Sequence, residues 1–196
     1  MNKTGLSLNL INEGKGLIKT DKNELLIGVL SDTHVPHRAS SIPEKVIDDF
    51  KRRNVDFVFH LGDFTSFEAY ETLINIFGKN KVIAIHGNMD FDPKLRKILP
   101  DKLELEIFGH RILLIHGMGG PNMIVKRLIK KLALPNSDYD VIIFGHTHRP
   151  VNEKKNNILF FNPGTTTPID NRLTVISSYG HLKISKNNVE PEIIYL

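Results

Sequence analysis

Five short apolar runs, each followed at once by a small polar cluster, constrain this chain more than any other feature. Leu25–Leu30, Asp56–Leu61, Lys81–Ile85, Arg111–Ile115 and Asp140–Phe144 are rich in Val, Ile, Leu and Phe. Runs this short and this apolar suit strands covered on both faces, since a half-exposed strand alternates apolar with polar residues. Helical patterns lie between several of them. Pro43–Arg53 follows Ser41 and has apolar residues at Val46, Ile47 and Phe50. Thr65-Ser66-Phe67-Glu68 fits a capping box opening at Thr65, and Gly78 is placed to stop the helix that follows. Asp92-Pro93 opens a short helix with Asp92 as its cap. Asn122–Ala133 puts Ile124, Val125, Leu128, Ile129 and Leu132 on one face and Lys126, Arg127, Lys130 and Lys131 on the other, a basic stripe that reads as a solvated helix face.

Leu103–Phe108 and Arg111–Ile115, joined by Gly109-His110, read as a hairpin. After Pro150 the helical pattern stops, and Ile158–Phe161, Leu173–Ser178, Leu182–Ser185 and Pro191–Leu196 read as consecutive strands. βαβ units followed by a β-rich half predict an α/β chain in which two packed sheets carry helices on the outside. Residues 1–24 read as a polar extension, either an added edge strand or a loose tail. Residues 25–196 contain no repeat or linker and read as one domain.

Composition narrows the function classes. At 196 residues the chain is too short for a complete eight-stranded α/β barrel, which takes about 250. It has no cysteine, which excludes a disulfide framework, a Cys-ligated zinc and a thiol nucleophile. No apolar run approaches the roughly 18 residues of a membrane span, and the short run from Leu6 to Ile11 is broken by polar residues, unlike a signal peptide, so a cytoplasmic protein is expected. A formal charge of +4 is too mild a bias to argue for nucleic acid.

The polar clusters carry the functional signal. The apolar runs lead into Ser31-Asp32-Thr33-His34, Gly62-Asp63, His86-Gly87-Asn88-Met89-Asp90, His116-Gly117 and Gly145-His146-Thr147-His148. In open α/β sheets ligands bind outside the carboxyl ends of the strands, so the five clusters are expected to converge. Asp32, His34, Asp63, Asn88, His116, His146 and His148 all offer oxygen or nitrogen lone pairs to a cation, and none offers sulfur. Imidazole mixed with carboxylate suits Mn, Fe, Zn, Co or Ni. Seven donors exceed the needs of one ordinary zinc and suit two metals about 3.5–4 Å apart. Asp-x-His and His-x-His spacing lets alternate residues leaving a strand face one site. Two divalent ions against the carboxylates of Asp32 and Asp63 leave the centre positive, which favours an anionic substrate such as a phosphate ester.

Taken in order, Asp32-x-His34, Gly62-Asp63, Gly87-Asn88, His116-Gly117 and Gly145-His146-x-His148 resemble the signature of calcineurin-like metallophosphoesterases. The chain is most similar to their small bacterial and archaeal YfcE-like phosphodiesterase branch. The likeness runs from about Leu25 to the C-terminus and includes Asn162-Pro163-Gly164. The resemblance implies a four-layer α-β-β-α sandwich of two mixed sheets and a dinuclear centre, manganese being the expected metal and Ni, Fe, Zn, Co or Mg the other candidates. One ion would take Asp32, His34, Asp63 and His148. The other would take Asp63, Asn88, His116 and His146, with Asp63 bridging. A bridging hydroxide would attack phosphorus in line. The expected partner is a small phosphoester, and homodimers or homotetramers occur in the branch.

Many members carry a histidine after the Gly-Asn pair, able to protonate the leaving group, but here Met89 stands in that place and transfers no proton. Activated diesters are therefore the expected substrates. Asp63, Asn88 and Asp90 are the expected catalytic residues, Asp90 by holding Asn88 or a ligand imidazole. Arg149 and His37 are weaker candidates for substrate contact. His60 and His86 read as satisfied histidines, and Thr165-Thr166-Thr167-Pro168 as a loop. Two other classes compete. A eukaryotic retromer subunit similar to this family serves as a scaffold with part of its ligand set lost, whereas all seven donors are present here. Metallo-β-lactamase-like hydrolases carry His-x-His-x-Asp-His, a string this chain lacks.

Overall fold

The computed structural model of the chain describes residues 5–12, 14–132, 138–167 and 176–196. Its first half runs β1 (Ser7–Asn12), β2 (Lys15–Lys19), β3 (Glu24–Leu30), α1 (Glu44–Arg52), β4 (Phe57–His60), α2 (Phe67–Phe77), β5 (Val82–Ala84), α3 (Pro93–Ile98), β6 (Lys102–Ile107) and β7 (His110–Ile115). The second half runs α4 (Ile124–Lys131), β8 (Val141–Phe144), β9 (Val151–Lys155), β10 (Ile158–Asn162), β11 (Ser178–Ser185) and β12 (Val189–Tyr195). Among the described residues these strands form two mixed sheets, ordered β1-β2-β6-β7-β8-β10-β9 and β12-β11-β3-β4-β5.

Alternation along the apolar runs explains the layers. Ile27, Val29, Phe57 and Phe59 face the other sheet, where Ile112, Leu114, Ile143 and Phe161 meet them. The alternate residues Leu30, Val58 and Ala84 turn outward onto Val46 and Phe50 of α1, Leu73 of α2 and Leu95 of α3. On the opposite side Leu113, Ile142 and Phe160 cover Ile124, Val125 and Leu128 of α4. A strand buried on both faces has no place for a polar residue, so the runs are continuous. Each such fully buried side chain contributes about 1.5–3 kcal/mol. Because β3, β4 and β5 are parallel, as are β7 and β8, their carboxyl ends open on common edges.

The structure revises several local readings. Of the two readings of the N-terminal extension, its described residues take the added-edge form: β1 and β2 form a hairpin, β2 pairs in parallel with β6, and Ile18 enters the core between the sheets. The cap of α2 is Ser66, whose Oγ accepts from the Ala69 amide, while Thr65 turns away to donate to the Val35 carbonyl. α1, Glu44–Arg52, lies within the expected Pro43–Arg53, with Pro43 at its N-cap and no side-chain cap hydrogen bond. The hairpin turn is Phe108-Gly109, both with positive φ, instead of Gly109-His110.

Residues 178–185 form one continuous strand where a break was expected around Gly180. That glycine marks close packing, since a Cβ there would lie 2.5 Å from the Phe161 ring. Part of the expected strand Leu173–Ser178 lies outside the described residues. β9 had no apolar signal, because it is an edge strand whose side chains are largely exposed. No helix among the described residues is long and apolar enough to cross a membrane.

Candidate metal centre

All seven predicted donors lie in loops that follow strands. Asp32 and His34 follow β3, Asp63 follows β4, Asn88 follows β5, His116 follows β7, and His146 and His148 follow β8. Strand alternation does not aim them. Asp32, His34, Asp63, His146 and His148 all have positive φ, between 46° and 66°. Such conformations cost non-glycine residues about 1–3 kcal/mol and persist only where surrounding contacts enforce them. Those contacts are visible: the Asp32 amide donates to the Gly62 carbonyl at 3.0 Å, and the His34 amide to the Asp63 carbonyl at 3.0 Å.

One half of the cluster gathers Asp32, His34, Asp63 and His148, whose donor atoms lie within 4.8 Å of one another. Nε2 of His148 lies 3.2 Å from Asp32 Oδ1 and 3.2 Å from His34 Nε2. Asp32 is wholly buried, and its two oxygens have different fates. Oδ2 accepts from the Ser31 hydroxyl at 2.5 Å and the His146 amide at 2.9 Å. Oδ1 accepts no hydrogen bond among the described residues. A buried carboxylate oxygen with no hydrogen bond, facing the imidazole nitrogens of His148 and His34, is unfavourable unless a positive charge meets it. The donor set therefore fits a divalent metal.

The other half gathers Asp63, Asn88, His116 and His146. Nε2 of His116 lies 3.3 Å from Asp63 Oδ2 and donates to Asn88 Oδ1 at 3.1 Å, and Nδ1 of His146 donates to the same oxygen at 2.7 Å. Nδ1 of His116 donates to the Leu61 carbonyl at 2.6 Å. Burial opposes a charge on His116, but the hydrogen bond to Asp63 and the fields of Asp32 and Asp63 outweigh it and raise its pKa to about 9. Without an ion, a proton supplies the positive charge this half attracts. His34 goes the other way: burial first, then the Arg38 guanidinium, lower it to about 4. Burial also opposes ionisation of Asp63, but its bonds to His116 and the Met89 amide hold its pKa below the usual value.

Supporting contacts hold the loops. Asp90 is buried, and among the described residues its carboxylate hydrogen-bonds backbone amides rather than Asn88 or an imidazole. Its Oδ2 accepts from the amides of Asp63 (2.8 Å) and Gly87 (2.7 Å), and its Oδ1 from Thr65 (2.8 Å). It thus clamps the loops after β4 and β5 through their backbones. Position 89 contributes its amide, which donates to Asp63 Oδ1 at 2.7 Å, while its side chain is partly exposed. Asn162 donates from Nδ2 to the Gly145 carbonyl and to the Thr147 hydroxyl, fixing the His-x-His loop. Thr165 and Thr167, read as ordinary loop residues, are buried and donate to the carbonyls of Asp32 and Thr33. His60 is buried between Thr33 and the Gly62 amide and stacks on Phe64.

The weaker candidates fare differently. His37 is exposed, and among the described residues it makes no hydrogen bond to the cluster. Arg149 is exposed, and among the described residues only its backbone carbonyl is engaged, by the Thr147 hydroxyl. The cation that reaches the cluster is Arg38, whose guanidinium donates to His148 Nδ1 at 3.0 Å. Sequence reasoning passed over it. The available signal was a cation in the loop directly after Asp-x-His.

A sandwich of two mixed sheets that gathers nitrogen and oxygen donors at one edge is the architecture of a metallophosphoesterase. The model of the calcineurin-like phosphoesterase superfamily domain matches residues 25–187, and the chain belongs to that superfamily. A probable metallophosphoesterase of Methanocaldococcus jannaschii is 39% identical over 147 residues, which cover 73% of this chain and 69% of the relative. A phosphodiesterase of the same organism is 31% identical over 150 residues, covering 70% of this chain and 82% of that one. Among solved structures, one described as a novel archaeal phosphodiesterase superposes with a TM-score of 0.66 at 30% identity, covering 88% of this chain and all of the other.

Proposed function

We propose that this protein is a metal-dependent phosphodiesterase with a dinuclear centre. One ion would be held by Asp32, His34, Asp63 and His148, the other by Asp63, Asn88, His116 and His146, with Asp63 shared. The observation that carries the reading is the buried Asp32 Oδ1, which accepts no hydrogen bond among the described residues, within the four-residue donor group. Asp63 Oδ2 lies 3.8 Å from His34 Nε2 and 3.3 Å from His116 Nε2, which supports its bridging place. Divalent ions, when bound, supply Lewis acidity that activates water and withdraws charge from the phosphoryl oxygens, manganese being the first candidate.

The chain's own residues do the rest. Asp90 and the Met89 amide hold Asp63 in a single orientation. Arg38, at the mouth of the His34/His148 half, is placed to pair with a non-bridging phosphate oxygen. With Met89 in place of a proton donor, the leaving oxygen must depart with little help, which favours diesters of acidic alcohols. General acid catalysis is worth roughly 10²–10⁴-fold, so alkyl leaving groups are expected to be slow.

The test is hydrolysis of bis-p-nitrophenyl phosphate with added Mn²⁺, by the wild type and by Asp63→Asn. Metal-dependent release of p-nitrophenol that is lost in the variant supports the reading. A wild type inactive with every divalent ion would overturn it in favour of an interaction role on the same fold. Cleavage of alkyl phosphomonoesters as fast as aryl diesters would overturn the substrate class.

A further inference from the structure

A cavity of about 400 Å³ begins at Asn88 and His116 and leads away from the donor cluster. Three cations line it: Arg96 from α3, Lys102 from the start of β6 and Lys131 from the end of α4. One carboxylate, Asp101, opposes them. None of the three cations forms an ion pair with another described residue. The Nε of Arg96 donates to the Asp90 carbonyl at 2.6 Å, which fixes its guanidinium against the cavity wall. Ile115, Met118 and Leu132 supply an apolar lining between the cations. Arg96 and Lys102 come from neighbouring elements, and Lys131 is brought to them from α4, some thirty residues further along the chain.

We infer that this cavity is a subsite for a second phosphate group, so that the preferred substrates are small nucleotide-like phosphodiesters carrying a further phosphate on the Asn88/His116 side. The inference deepens the phosphodiesterase reading and rests on it. An uncharged substituent would gain only the apolar contacts, whereas a second phosphate would also meet three cations around an open cavity, an attraction that salt weakens. The apolar lining suits the sugar and base that separate the two phosphates.

Thymidine 5′-p-nitrophenyl phosphate and its 3′-phosphorylated counterpart differ only in the second phosphate. With Mn²⁺ at low salt, the 3′-phosphate is expected to raise kcat/KM about tenfold, mainly through KM. In Lys102→Gln/Lys131→Gln that ratio should fall toward one. Calorimetric binding of thymidine 3′,5′-bisphosphate against thymidine 5′-monophosphate provides a readout independent of turnover, and the bisphosphate should bind the wild type several-fold more tightly. Equal kcat/KM for the two esters, or a preference untouched by the double variant, would overturn the subsite. If neither ester is cleaved, the phosphodiesterase reading fails, and equal affinity for the two thymidine phosphates would then overturn the subsite by itself. Competition by oligothymidylate stronger than that by the bisphosphate would replace the small nucleotide with a nucleic-acid end.

Discussion

Replacing Asp90 with asparagine separates a positioning role from a chemical one. The carboxylate accepts three backbone amides, at 2.8, 2.7 and 2.8 Å, and is wholly buried. Asparagine keeps one carbonyl oxygen, which can serve the Asp63 and Gly87 amides, but its amide nitrogen then faces the Thr65 N–H, donor against donor. Losing one hydrogen bond to a charged acceptor costs about 1.5–3 kcal/mol. The two that remain pass to a neutral acceptor and lose roughly half their strength. The sum is about 3–6 kcal/mol, a large part of the roughly 5–15 kcal/mol typical of a domain. With a urea slope near 2 kcal/mol/M, the unfolding midpoint of the metal-free protein should fall by about 1.5–3 M.

The Asp63 amide would also lose part of its anchor, so affinity for Mn²⁺ should drop about 10–100-fold. Turnover measured at saturating metal should recover most of the wild-type kcat. The assays are urea melts followed by circular dichroism, metal titration calorimetry, and activity against metal concentration. A midpoint and a metal affinity equal to wild type would refute the clamp. Lost kcat with both preserved would assign Asp90 to the reacting atoms.

Other outcomes follow from the same contacts. In Gly145→Ala the new Cβ would sit 1.8 Å from Ser31 Oγ, forcing that hydroxyl off Asp32; thermal melts should show about 1–3 kcal/mol of lost stability and weaker metal binding, with Ser31→Ala restoring part of the stability but not the Asp32 contact. Divalent metal at about 100 times its Kd should stabilise the fold by about 2.7 kcal/mol, seen as a thermal shift reversed by chelator, and no shift with any divalent ion would remove the metal reading.

Acid should weaken the fold at a second place. Burial holds His181 below its ordinary value despite its 2.7 Å bond to Asp49, and Arg53 adds to the lowering. Bonds from His181 and Tyr179 hold Asp49 low against burial. Both folded values are depressed, so this contribution is complete above about pH 6.5 and is lost as pH falls, His181 first and Asp49 below about pH 4. A His181→Phe variant should flatten the upper part of that loss in pH-dependent urea melts, and an unchanged slope would refute it.

Much of this protein was written in local patterns. Apolar runs flanked by helical periodicity reveal a two-sheet sandwich because a strand buried on both faces has no freedom in composition. The seven donors were legible because each ends such a run, and parallel strands bring their carboxyl ends to one edge. Local chemistry also placed Asp92 as the cap of α3, where its side chain accepts from the Lys94 amide. The burial of Ile18 was not visible in the same way, since a short polar hairpin declares no partner until β6 presents an edge.

What only the tertiary structure decided is how the donors are aimed and served. Left-handed backbone at Asp32, His34, Asp63, His146 and His148 is unfavourable residue by residue, so no propensity announces it; contacts across the loops impose it. The same holds for Asp90, whose partners are backbone amides that carry no side-chain identity. It holds for Arg38 too, which reaches His148 across 110 residues of chain. Residue types and spacing determined which groups can offer lone pairs to a cation; long-range hydrogen bonds, invisible along one dimension, decided the orientation each group takes.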